Sequence, residues 1–345
     1  MNQPAEGVLM SGEARIDAAA PPARRGRGAA PLQMRFLAIW LAMIALVVIG
    51  GIVVPRSLVF SNMLPVLPNA AFLAIVAMGQ TLVLMTRGID LSVPAIITLS
   101  STLLLGVSGG SDASLVPAII VALAAATAIG VINGVLVGLL QLNALIVTLA
   151  VGAILTGVNI WYREGLPAEA RVPQMLADFG SWRPLGINAS IYTAVLLVIV
   201  LTIILRKTAR GRRFLAVGAN PRAAHVAGIS LPTYQIAAFA VAGLLYGIAG
   251  VLISGFIRNP TLNVGDVYLL APIAAAVLGG TAMSGGIGSM VAVAGAALFL
   301  TYLGQVLKMM GIATSFQWIV QGVAIALGMG LSQLRLPAWL RRRSG

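Results

Sequence analysis

The sequence predicts an all-α, polytopic membrane protein of about ten transmembrane helices with both termini on the cytoplasmic side. Three observations carry that prediction. Of the 345 residues, 59% are hydrophobic and only 9% charged, where a soluble domain has about a quarter of its residues charged. The apolar residues are gathered into runs close to the length of about 20 residues that crosses a hydrocarbon core. The basic residues, finally, fall mostly on one side of the connections between those runs.

The runs follow in order. Residues 1–33 are rich in Ala, Pro, Gly and Arg and are expected to form a disordered basic cytoplasmic tail. The first apolar run, Phe36 to Val54, has 19 uncharged residues. A signal-peptide core has about 7–15 and is followed by a small-residue cleavage site, so this run is expected to be a first transmembrane helix. Further runs lie near 64–86, 91–108, 115–140, 144–162, 191–205, 233–257, 267–283, 287–307 and 314–334. Those at 191–205 and 267–283 are short. A transmembrane domain over 34–336 and a second basic tail over 337–345 complete the expected organisation.

Charge sets the orientation. With the N-terminus inside, sixteen of the 22 Lys and Arg residues face the cytoplasm, as the positive-inside rule requires. The formal charge of +13 is therefore an orientation signal and an attraction to anionic lipid. It does not point to nucleic acid, because few aromatics are interleaved with the basic residues. The chain has no cysteine and one histidine, so disulfides, thiolate metal sites and redox chemistry are excluded and no cofactor is implied.

The most informative connection is the basic loop 206–231. It carries Arg206, Lys207, Arg210, Arg212, Arg213 and Arg222 and no acidic residue. Within it Asn220 is a good N-cap, Pro221 a good first helical residue and Gly228 a stop, which predicts a helix of about two turns. So short a helix is unstable alone and must rest on something. Ala223, Ala224 and Ala227 offer a small, flat surface suited to a protein groove, with headgroups as the bland alternative. On the opposite side, 163–190 is long enough to cap a mouth or touch an external partner, or to be a solvated loop.

Two motifs interrupt the runs. In Thr86 to Pro94, TRGIDLSVP, Asp90 and Ser92 can cap a helix in which Pro94 sits in the first turn, where no amide donor is needed. The functional alternative is a broken helix that lines or gates a pathway, with Asp90 paired to Arg87 or to the backbone. In Leu278 to Ser289, LGGTAMSGGIGS, five glycines permit a break or sharp turn. No Lys follows them and the sequence contains no G-x-x-x-x-G-K-[ST], so the chain cannot bind ATP by a P-loop of its own. Gly130, Gly134 and Gly138, and Gly243 and Gly247, recur at four-residue spacing and predict close internal helix packing. Polar residues within the runs (Asn69, Gln80, Thr81, Asn133, Thr156, Asn159, Gln305, Gln317 and Gln321) are candidates for a hydrophilic path or for interhelical hydrogen bonds. No carboxylate or histidine series resembles a proton relay, and no paired catalytic constellation points to an enzyme.

Three stretches, taken in order, resemble one family. Gly88-Ile-Asp-Leu-Ser-Val93 resembles the G-I-D-L-S-V-G signature of ribose- and xylose-type permeases of bacterial ABC importers. Gly218, Asn220, Ala223, Ala224, Gly228 and Ile229 match its G-x-N-x-x-A-A-x-x-x-G-I segment. Leu278, Gly279, Gly280, Thr281, Gly285, Gly286, Gly288 and Ser289 match its L-G-G-T-x-x-x-G-G-x-G-S. Pro94 departs from the first signature's last Gly, which stiffens the helix entry, and the outer loop follows the family only loosely.

The resemblance implies an inner-membrane permease that pairs with a second copy, two cytoplasmic ABC ATPase subunits and an extracytoplasmic sugar-binding protein, working by alternating access. It makes the helix in the basic loop a coupling helix, with Asn220, Pro221, Arg222, Ala223, Ala224, His225 and Gly228 in its contact with the ATPase. Asp90, Ser92, Gln80, Asn133 and Thr281 are the translocation-path or gating candidates. The related branch for branched-chain amino acids or nucleosides and a stand-alone secondary transporter are the competing readings.

Overall fold

A computed structural model describes residues 32–326 except 314, 318, 321, 324 and 325. Among them every regular element is helical. The α-helices are α1 (Leu32–Val53), α2 (Phe60–Met63), α3 (Val66–Met85), α4 (Val93–Ser108), α5 (Leu115–Gly138), α6 (Ala144–Glu164), α7 (Gln174–Ser181), α8 (Ala189–Lys207), α9 (Ala209–Ala219), α10 (Pro221–Val226), α11 (Leu231–Ile257), α12 (Ala271–Leu278) and α13 (Met290–Met309). Seven are long and apolar enough to cross a membrane, and α4 and the segment Asp266–Leu278 are shorter apolar helices. The chain is a polytopic, all-α membrane protein. The expected run at 314–334 and both tails lie largely outside the described residues.

The bundle is ordered by what each helix faces. Helix α3 is central, packed against α8, α11, α12 and α13, and nearly all of its residues are buried. Its apolar window has mean hydropathy 1.7, against 2.8 for α1, which is mostly exposed. Large side chains such as Ile44 and Ile52 of α1, Ile154 of α6 and Leu196 of α8 point outward. Water would not tolerate such a surface, whereas hydrocarbon requires it.

Backbone proximity, more than side-chain interlocking, joins α5 to α11. A Cβ on Gly130 would collide with the Phe239 carbonyl, and one on Gly134 would stand 2.7 Å from the Ile236 Cα. From the other side Gly243 abuts Ala126 and Gly130. The four-residue glycine spacing therefore serves internal packing, as expected from sequence. Polar side chains add cross-ties: Asn159 of α6 donates to the Ala95 carbonyl at 3.0 Å, and Ser101 donates to the Gly250 carbonyl of α11 at 3.2 Å.

The ends of the bundle differ. At one, helix α7 lies within the long 163–190 connection and is packed by Leu176, Ala177 and Gly180 onto the end of α11. The Val172 N–H donates to the Arg258 carbonyl there, so this connection is a structured cap rather than a solvated loop. At the other end stand α9, α10 and the loops 86–92 and 279–289. Between the two ends, the run expected as a helix over 267–283 proves discontinuous. It has one 3-10 turn at Asp266–Tyr268, the eight residues of α12, and then a non-helical loop. Hydropathy measures transfer into lipid and is blind to such a break, which the glycines after Leu278 allow.

The α5–α11 contact predicts that Gly134→Val lowers the thermal midpoint of the detergent-solubilised protein, with a loss of about 1–3 kcal/mol from overpacking. Gly157→Ala, whose Cβ would meet nothing within 4 Å, does not lower the midpoint in the same thermal-shift assay.

Candidate functional site

Helix α3 ends at Met85, and the chain turns through Arg87, at φ 69°, before running back beside α3 to start α4 at Val93. Thr86, Gly88, Asp90 and Ser92 of this non-helical stretch are buried, and its peptide groups need partners. The Gly88 N–H takes the Val83 carbonyl at 3.0 Å. Side chains of α3 and α6 supply most of the rest.

Gln80, fully buried on α3, acts as a strand would. Its amide orientation is assigned from its neighbours. Its oxygen accepts from the Asp90 N–H and its NH2 donates to the Asp90 carbonyl, both at 3.2 Å, and to the Tyr246 hydroxyl of α11 at 3.1 Å. Thr148 of α6 accepts from the Leu91 N–H at 3.0 Å, its own hydroxyl hydrogen going to the Ala144 carbonyl at 2.8 Å. The Asp90 Oδ1 accepts from the Ser92 N–H at 2.9 Å and from the Ser92 hydroxyl at 2.6 Å. Asn133 of α5 in turn donates to the Ser92 Oγ at 2.9 Å. The expected cap is therefore realised one step removed: Asp90 ties down Ser92, the N-cap residue, and Pro94 sits in the first turn.

The pairing considered between Asp90 and Arg87 does not form. The Arg87 Nε donates to the Gly218 carbonyl and its Nη2 to the Ala219 carbonyl, each at 3.1 Å. These are the last carbonyls of α9, where a cation is favoured by the helix dipole. At the same place the Gly286 N–H donates to the Met85 carbonyl at 2.9 Å. A Cβ on Gly218 would collide with the Met85 carbonyl and approach Gly286 N at 2.5 Å. Gly285 and Gly286 have φ of +88° and +76°, conformations open to glycine. Thus the three motif-bearing stretches, remote in sequence, meet backbone to backbone.

Helix α10 projects from this junction. The Asn220 Oδ1 accepts from the Ala223 N–H at 3.1 Å, Pro221 is the first helical residue, and Gly228 closes the helix at φ +74°. Arg222, Ala223, His225, Val226 and Ala227 are exposed, Val226 by 88%, whereas Ala224 is turned inward at 4% exposure. The flat alanine surface expected from sequence is divided: Ala224 seats the helix and Ala223 and Ala227 face out. Of the interior candidates, Asp90, Ser92, Gln80 and Asn133 form the single polar cluster just described, each fully buried. Thr281 is also buried, but in the neighbouring 279–289 loop, where its N–H donates to the Ala276 carbonyl at 3.0 Å.

Sequence reasoning missed Thr148, Tyr246 and the Met85 carbonyl. Thr148 and Tyr246 look unremarkable within apolar helices, and a backbone acceptor leaves no signal. The wide separation in sequence hides all three.

A family profile described as a branched-chain amino acid transport system permease component matches residues 62–328. The chain belongs to this family of permease components. It is 32% identical to the ribose import permease protein of Escherichia coli over 292 residues, 84% of this chain and 91% of the relative. The ribose import permease protein of Bacillus subtilis is 34% identical over 302 residues, 87% of this chain and 93% of the relative. The autoinducer 2 import system permease protein of Escherichia coli is 33% identical over 293 residues, 83% of each chain. No solved structure matches the permease significantly.

Replacing Gln80 by Leu leaves two buried peptide groups of Asp90 without partners, at about 1–3 kcal/mol each. Gln80→Leu is therefore expected to lower the unfolding midpoint in detergent far more than Thr156→Val, whose hydroxyl bonds only within its own helix.

Proposed function

We propose that this chain is the permease subunit of an ATP-driven, binding-protein-dependent importer that carries a monosaccharide across the inner membrane into the cytoplasm by alternating access. The observation that carries this reading is the mounting of α10. Its outward face is exposed, while its root is joined through Gly218, Ala219 and Arg87 to the non-helical breaks at 86–92 and 279–289. An ATPase that moves α10 would move those breaks with it. Asp90, Ser92, Gln80, Asn133 and Thr281 then act in gating, all of them buried within or beside the broken segments. Arg222 and His225 flank the exposed Val226 as contacts to the ATPase groove.

The remaining parts of the reading follow. Seven long helices, α4, the Asp266–Leu278 segment and a tenth crossing at 314–334 give ten crossings, with both termini cytoplasmic by the distribution of basic residues. Residues 1–33 and 337–345 are basic cytoplasmic tails flanking a permease domain over 34–336. Two copies of the permease pair within the lipid, two ABC ATPase subunits bind from the cytoplasm at 206–231, and a sugar-binding protein docks at the α7 end. ATP hydrolysis takes place on the separate ATPase chain. The relatives named for ribose import favour sugar over the branched-chain amino acids of the family description.

The test is ATP-driven monosaccharide uptake into proteoliposomes holding the permease, its ATPase and its binding protein. Arg222→Glu and Val226→Glu change exposed side chains and leave the fold intact. Each should lower uptake roughly tenfold, the effect of about 1.4 kcal/mol of lost docking energy. Solute movement by the permease without an ATPase would overturn the importer reading in favour of a secondary transporter.

A further inference from the structure

A groove of about 550 Å3 opens on the side of the bundle, lined by Asn69 and Leu73 of α3, Asp266 and Leu270, and Leu300 and Thr301 of α13. Its depth is unusual for an acidic residue. Gly265, immediately before Asp266, packs against the carbonyl of Pro94 in the first turn of α4. The far end of α4 at Ser108 is about 20 Å further on at 1.5 Å per residue. Thr301 lies near the middle of the 20-residue α13. The exposed Asp266 carboxylate thus stands within the height of the bundle rather than at its rim.

A carboxylate at that depth is not tolerated against lipid tails and belongs in a hydrated or protein-covered space. Among the described residues no Lys or Arg lines the groove. We propose that this groove is the hydrated wall past which the transported solute moves, and that Asp266 and Thr301 are its hydrogen-bonding contacts to a polyhydroxylated, uncharged cargo. This rests on the importer reading and adds the site and the chemical class it selects.

The chemistry fits a sugar better than an amino acid. The Asp266 oxygens and the Asn69 Oδ1 accept from hydroxyls, the Asn69 Nδ2 being engaged with the Pro65 carbonyl at 3.0 Å. The Thr301 hydroxyl donates to the Ala297 carbonyl at 2.8 Å and keeps acceptor capacity. Leu73, Leu270 and Leu300 present an apolar wall to the C–H face of a sugar ring. An amino acid would bring its own carboxylate beside Asp266 with no cation among the described lining residues to offset it. The volume falls in the range of about 300–1,000 Å3 typical of small-molecule sites.

The absence of cysteine allows single-cysteine reporters. In proteoliposomes of the assembled transporter, Thr301→Cys and Asn69→Cys would be treated with a water-soluble, cationic methanethiosulfonate, with Ile154→Cys on the outward face of α6 as the lipid-facing control. The expected result is rapid modification at 301 and 69, none at 154, and loss of monosaccharide uptake after modification. Asp266→Asn should lower uptake roughly tenfold, the effect of one lost charged hydrogen-bond partner, while the binding protein still stimulates ATP hydrolysis. A Thr301→Cys as unreactive as Ile154→Cys would overturn the proposal, as would modification that leaves uptake unchanged. If the unmodified assembly carries no monosaccharide, the importer reading fails for sugar and takes the cargo assignment with it. A reactive Thr301→Cys in that case still separates a wet groove from a lipid-facing one.

Discussion

Hydrocarbon offers no hydrogen bonds, so each break in a membrane helix must be repaired from within the protein. Two breaks, at 86–92 and 279–289, dictate much of this structure. The first is held by side chains of α3, α5, α6 and α11 around Asp90 and Ser92. The second is held by the backbone itself, with the Gly286 N–H on the Met85 carbonyl. Close approach is the means in the second case: Gly218, Gly285 and Gly286 allow main chains to touch where any Cβ would part them. The same economy of side-chain volume brings α5 onto α11, which places Asn133 and Tyr246 where the first break needs them.

The function proposed for the permease grows from where these repairs stand. Helix α10 is a six-residue element with too few bonds of its own to be rigid. Arg87, reaching across more than a hundred residues to the end of α9, gives it a firm base. A force on the exposed α10 face therefore reaches two discontinuities that are already poised between helix and turn. An ATPase need only favour one of two packings of such a joint to shift the whole bundle. The groove beside Asp266 belongs to the same discontinuous segment as the 279–289 loop, so movement at α10 and exposure of the groove share one stretch of chain.

The apolar runs were legible because each spanning helix must exclude water over a fixed length, and nearly every boundary fell within a few residues of the composition change. The caps of α10 were legible because Asn220, Pro221 and Gly228 act on their immediate neighbours. The glycine spacing on α5 and α11 was legible because close packing leaves a four-residue period. Long-range geometry was not. Nothing local shows that Arg87 bypasses Asp90 for Gly218 and Ala219, or that Ala224 faces in while Ala223 faces out. The discontinuity around α12 was hidden by its own hydropathy, and Asp266 lies just ahead of the run expected at 267–283. The amphipathic α7 was hidden within a connection whose prolines and charges suggested a loop.

The central claim is that α10 and the 279–289 loop move as one body. Spin labels on Val226→Cys and Met283→Cys, both exposed positions in a chain without other cysteines, report it directly by electron–electron distance measurement in the assembled transporter. The account predicts one unchanged distance distribution with and without ATP, while a label pair at 226 and Ile120→Cys, at the opposite end of the bundle, shifts. A change between 226 and 283 on adding ATP would contradict it, because α10 would then move free of the joint on which the coupling depends.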